Sequence, residues 1–190
     1  GSVRFYARKE IKDALAYLRL LLNRDDDVSL RRVINVPARG IGKGVMEALE
    51  HINPEPPPSD APLLAGAEPE TPSLLRSLWS RLDRAVGEKL VPARALTALG
   101  RFRTIIENLN AVARNEPASV TLAKALDQSG YIQALRKAGT EEAENRLGNL
   151  QELVSAARDY EIRETDASVS GFVDRLSLLS ETDETKGDRD

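Results

Sequence analysis

The chain has 190 residues, 41% of them hydrophobic and 30% charged, which is enough apolar content for one domain-sized core. Aromatics are 4%, Cys is absent and His51 is the single histidine; this excludes disulfide scaffolds, thiolate metal centres, cysteine nucleophiles and multi-histidine sites. The net charge of −3 is unevenly spread, with +3 over residues 1–50, +2 over 51–140 and −8 over 141–190, so a polyanion should meet the N-terminal part.

The elements follow in order. Val3-Arg4-Phe5-Tyr6 alternates like a short strand. From Lys9 to Leu22 the period becomes helical, with Ile11, Leu15, Leu18 and Leu22 on one face. Asn23 to Asp27 ends that helix, and Asp26 or Asp27 can cap the next, Val28 to Asn35. Pro37 breaks it before Ala38-Arg39-Gly40-Ile41-Gly42-Lys43-Gly44, and a short helix follows from about Val45 to His51. Residues 53–72 hold seven of the ten prolines and almost no periodicity, as expected of a loop or insertion.

Helical patterning returns at Ser73 to Val86, Pro92 to Asn115 and Ala118 to Gln128. In the middle one, Leu96, Leu99, Phe102, Ile106 and Leu109 form the stripe. Two glycine turns bracket a short helix from Tyr131 to Ala138. Thr140 caps a long helix from Glu141 to about Arg163, whose inward residues are Leu147, Leu150, Leu153, Val154 and Ala157. A last helix spans Ser168 to Leu179, and 181–190 reads as an acidic, frayed tail. Leu and Ala dominate the apolar set, which favours helices over sheets. The fold expected is all-α, an irregular bundle of seven or eight helices in one unit, residues 1–190. No apolar run approaches the roughly 18 residues of a membrane span, and Arg4, Arg8, Lys9 and Lys12 interrupt any signal-like core. A cytoplasmic location with no membrane partner is therefore expected.

Most catalytic chemistry is missing. Gly42-Lys43-Gly44 looks like half of a phosphate-binding loop, but such a loop needs Ser or Thr after Lys and Gly at an earlier place, where this chain has Gly44 and Pro37. Asp25-Asp26-Asp27 suits capping better than a cation. Nothing assembles a nucleophile, a base and an oxyanion site, so the chain alone is expected to be no enzyme and to hold no metal or cofactor.

One motif carries a mechanism. In Arg39-Gly40-Ile41-Gly42-Lys43, glycines flank an apolar residue between two short helices, so the backbone can turn sharply and approach another chain closely. Ile41 can anchor the turn in the core while N–H groups at the next helix N-terminus face outward as an anion site. Arg39 and Lys43 add positive charge on either side. This is how a helix–hairpin–helix turn holds a nucleic-acid phosphate without reading sequence. An ordinary glycine-containing connection between core helices remains the competing reading.

Several segments, in order, resemble the UvrD/PcrA/Rep-type superfamily 1 DNA helicases. Val3 to Leu21 is similar to the family segment that enters the inserted 2B subdomain. Asp25 to Gly42 resembles the stretch carrying the family's Gly-Ile-Gly duplex-contact motif. Ala93 to Leu109 and Glu144 to Ala157 are similar to two further family helices. Where the family often has a hydroxyl, three positions past the second Gly, this chain has Val45.

The resemblance implies an isolated 2B subdomain, a non-catalytic accessory and regulatory part of an ATP-dependent 3′–5′ helicase. Arg39, Gly40, Ile41, Gly42 and Lys43 would contact the backbone of duplex DNA, or a duplex/single-strand junction, ahead of the motor. The motor domains would be its protein partner, and ATP and magnesium would bind only there. It also implies a bacterial cytoplasm, beside the nucleoid. The alternative is a helical regulatory module that works through the motor domains or another protein, which the acidic C-terminal third would suit. An inserted unit should also bring its two ends together.

Overall fold

A computed structural model gives residues 4–53 and 77–187. Its centre is α1, Lys9–Leu22. Ile11, Ala14, Leu15, Ala16, Tyr17, Leu18, Leu20 and Leu21 are all buried, so α1 is enclosed on more than one face. The single stripe expected from the sequence is therefore too narrow, and its last member, Leu22, is 43% exposed. Around α1 pack α2 (Asp27–Val33), α5 (Ala93–Asn115), α6 (Ala118–Gln128), α8 (Glu141–Arg163) and α9 (Val169–Gly187). An outer set completes the bundle: α3 (Lys43–Glu50) lies against α4 (Leu78–Gly87), α4 against α5, and α7 (Tyr131–Ala138) against α6 and α8. Leu99, Phe102, Ile106 and Leu109 of α5 and Leu150, Leu153 and Ala157 of α8 join the core.

The described residues form nine α-helices and no strand, more helices than the seven or eight expected. Each helix corresponds to a segment read from the sequence, including the short α2, α3 and α7, of 7, 8 and 8 residues. Segments this short are marginal alone and persist through caps and packing. The Asp26 side chain accepts from the Ser29 amide at 3.0 Å, and Thr140 accepts from the Ala143 amide at 3.1 Å. The neighbours of Asp26 are also engaged: Asp25 accepts from the Ser77 hydroxyl at 2.6 Å and Asp27 from the Leu78 amide at 3.0 Å. The acidic triplet thus ties the start of α4 to the start of α2.

The two ends of the chain depart from expectation together. The segment read as a strand is a 3-10 turn, Phe5–Ala7. Its Tyr6 amide donates to Asp183 of α9 at 3.0 Å, Lys12 pairs with Glu184, and Arg19 donates to Ser177 at 2.8 Å. The contacts at Asp183 and Glu184 occur where α9 continues beyond Leu179, through residues expected to fray, as far as Gly187. The two ends of the described chain adjoin. The proline-rich expectation, apart from Asn53, and residues 73–76 of the expected fourth helix fall outside the described residues, as do 188–190.

Polar groups also enter the core. The Asp13 carboxylate accepts from Arg32 at 2.9 Å and from the Tyr131 hydroxyl at 2.7 Å. Glu10 accepts from Asn149 of α8 at 2.8 Å. Burial and the Asp13 carboxylate hold the Tyr131 hydroxyl far above the usual tyrosine pKa.

Candidate nucleic-acid interface

The turn between α2 and α3 is built by residues on both sides of it. After α2, the Asn35 side-chain oxygen accepts from the amides of Arg39 at 2.8 Å and Ile41 at 3.1 Å, folding the segment back on itself. Gly40 sits in the left-handed region at φ +79°, where a side chain would be strained. Ile41 points into the core and is 1% exposed, the anchor expected from the sequence. Gly42 is the N-cap of α3, in extended backbone, with no side chain capping the helix.

The first N–H groups of α3 thus begin at an exposed, glycine-lined surface. Lys43 extends into solvent with its side chain 92% exposed, and Glu47 is 3.9 Å away across one helical turn. His51 closes α3, its Nδ1 2.7 Å from the Glu47 carbonyl oxygen.

Gly42 and Gly44 differ from Gly40 in a way that bears on function. Neither has a positive φ, and a Cβ added at either would meet nothing within 4 Å. The fold itself therefore does not require glycine at 42 or 44. A glycine inside the first turn of a helix even costs up to about 1 kcal/mol against alanine. A Cβ at these places would stand over backbone that is exposed to solvent.

Arg39, expected to assist the DNA contact, braces the fold from within. Its Nη1 donates to the carbonyls of Val33 at 2.7 Å and Ile34 at 2.8 Å. Its Nη2 donates to the Tyr17 hydroxyl and to the Ser129 carbonyl, each at 2.9 Å. The guanidinium carbon lies 5.1 Å from the centre of the Phe102 ring. One side chain therefore links the turn to α1, α5 and the α6–α7 joint. Tyr17 supports it by donating to the Val36 carbonyl. Sequence reasoning missed Asn35; its one signal is an Asn placed just before a Pro-containing turn, where it can bond backbone amides.

Beside the turn lies an open groove, with Pro37, Ala38 and Gly40 on one side and Arg94, Thr97 and Arg101 of α5 on the other. The turn itself departs from a phosphate-binding loop: Gly44 stands where such a loop carries a hydroxyl after its lysine, and no strand precedes the turn among the described residues. The described residues contain no cluster of three or more His, Asp or Glu suited to a metal ion. None of the described helices is long and apolar enough to cross a membrane.

Residues 1–55 match the UvrD-like helicase C-terminal domain. The chain is 35% identical over 160 residues to DNA helicase II of Haemophilus influenzae, covering 84% of this chain and 20% of that protein. It is 33% identical over 166 residues to DNA helicase II of Escherichia coli, covering 87% and 21%. With the ATP-dependent DNA helicase PcrA of Bacillus subtilis it shares 33% identity over 186 residues, covering 97% and 22%. The chain spans about a fifth of the length of these relatives. With matches that run along most of its helices, the chain belongs to the UvrD-type superfamily 1 helicases, as a fragment of such a protein.

Proposed function

We propose that this chain is a 2B-type accessory subdomain that grips the backbone of duplex DNA ahead of a 3′–5′ helicase motor and modulates unwinding. The motor, with its ATP chemistry, lies outside the chain in this reading. The observation that carries it is the pair of glycines at 42 and 44, at an uncapped helix N-terminus, where neither backbone conformation nor internal packing calls for glycine. Ile41 fixes the turn from below, Asn35 and Arg39 hold its shape, and the amides of Gly42, Lys43 and Gly44 with the Lys43 ammonium meet a phosphate. The closeness of Tyr6 and Asp183, near the two ends of the described residues, supports an inserted unit joined to its host at one place.

Such a grip is independent of base sequence and sensitive to salt. With three to five phosphates neutralised, log K falls with log salt at a slope of roughly −3 to −4, and a lone subdomain binds at about 10⁻⁴–10⁻⁶ M. The test is fluorescence anisotropy of a labelled duplex hairpin, and of the matching single strand, at two salt concentrations. Preference for the duplex, with that slope, supports the proposal. Equal binding of both nucleic acids, or none up to about 10⁻⁴ M, rejects an autonomous duplex grip.

A further inference from the structure

Arg94 and Arg101 of α5 are exposed, and neither has a hydrogen-bond or ion-pair partner among the described residues. Other arginines nearby are committed: Arg103 on the same helix pairs with Asp83 at 2.9 Å, Arg84 with Glu88 at 2.9 Å, and Arg39 is a brace. The two free guanidiniums share a face of α5 with Thr97, and the groove they line contains no carboxylate. Thr97 spends its hydroxyl proton on the Ala93 carbonyl at 3.0 Å, which leaves the arginines as the side-chain donors that wall offers. Gly40 belongs both to the turn and to the opposite wall.

We infer that Arg94 and Arg101 form a second wall of the interface, and that one sugar-phosphate strand of a DNA duplex lies in the groove between α5 and the 37–43 turn. The inference rests on the proposed duplex grip and adds its second half. Seven residues of helix separate the arginines by about 10.5 Å along the axis. That spacing exceeds the rise of one nucleotide, about 3.4 Å along the duplex axis, so the two guanidiniums reach different phosphates of the strand. An acidic polypeptide would also answer two cations, but it lacks the regular charge spacing that two arginines two turns apart can match.

The test compares three variants of the whole chain with the wild type, using the same labelled hairpin. Arg94→Ala with Arg101→Ala removes two phosphate contacts. The salt slope should then become shallower by about 2, so that affinity falls about tenfold less between 50 and 200 mM salt. Arg103→Ala, which removes a cation already paired, should leave the slope unchanged. Circular dichroism should show all variants folded, since the substituted side chains lie outside the core.

An unchanged slope in the double variant, with binding abolished by Gly42→Glu, overturns the α5 wall and leaves the turn standing. Binding that survives Gly42→Glu but collapses in the double variant supports the wall and rejects the turn. Tighter binding of a poly-glutamate peptide than of the hairpin, lost in the double variant, overturns the assignment to DNA.

Discussion

Replacing Arg39 separates a brace from a phosphate contact. Arg39→Met keeps most of the stem and removes the guanidinium. Three carbonyls, of Val33, Ile34 and Ser129, then lose charged donors at 2.7–2.9 Å, and the Tyr17 hydroxyl loses the Nη2 donation. Hydrogen bonds from a charged group are each worth about 1.5–3 kcal/mol. The site is only partly buried, so water recovers some carbonyls and the four bonds do not add. A net loss of about 3 kcal/mol is expected, including the contact with the Phe102 ring.

With a urea slope of about 2 kcal/mol per molar, that loss moves the midpoint down by about 1.5 M. The assay is urea denaturation followed by circular dichroism at 222 nm. Arg39→Lys should recover less than half of the loss, because one ammonium cannot span carbonyls on α2 and at Ser129. The variant that stays folded should bind duplex DNA with an unchanged salt slope. Stability within 0.5 kcal/mol of wild type, with a shallower salt slope, would refute the brace and return Arg39 to the interface.

The other predictions test neighbouring links. Gly44→Ala should raise stability by about 0.5–1 kcal/mol in the same urea assay, because the site is open and helical, while weakening duplex binding; stabilisation without any loss of binding removes Gly44 from the interface. Ile41→Ala should cost about 2–4 kcal/mol as a fully buried anchor, and a cost below 1 kcal/mol would mean the turn is held mainly by Asn35. Asp13→Ala should cost about 1–3 kcal/mol, because it leaves the Tyr131 hydroxyl without its buried acceptor, while water reaches the partly exposed Arg32 guanidinium; a near-neutral thermal melt contradicts that network.

The alkaline side follows from two tyrosines. Burial, first, raises the pKa of Tyr17 and Tyr131 above 10, and the Asp13 carboxylate adds to it at Tyr131. A raised folded-state value means the native state keeps its proton, so this stabilisation is present below about pH 10 and is lost as pH rises beyond it. Absorbance at 295 nm should show these two ionising only as the helical signal collapses. All four tyrosines ionising near pH 10 with intact helices would contradict this.

Local pattern carries far in this chain. Lys9–Leu22, Ala118–Gln128 and Tyr131–Ala138 begin and end where periodicity, prolines and glycine turns place them. The turn at Gly40-Ile41-Gly42 was legible as a turn for the same reason, with Gly40 at positive φ and Ile41 buried. What stayed hidden depends on partners distant in sequence. Arg39 looks like a surface cation until Ser129, 90 residues away, supplies a carbonyl for it. Asp13 looks like a solvated acid until Tyr131, 118 residues away, closes over it. Residues 181–187 look like a fraying tail until Asp183 and Glu184 meet Tyr6 and Lys12. The cations of α5 escaped notice because a lone arginine in an amphipathic helix carries no signal of whether it is paired.

The most direct test of the central claim is an amide ¹H–¹⁵N correlation titration of the chain with a short duplex hairpin. The account predicts that the largest shifts fall on the amides of Gly42, Lys43 and Gly44, that they fade as salt is raised, and that the Ile41 side-chain methyls stay in place. Shifts centred on the acidic α8 and α9, or none at the turn with saturating duplex, would contradict it.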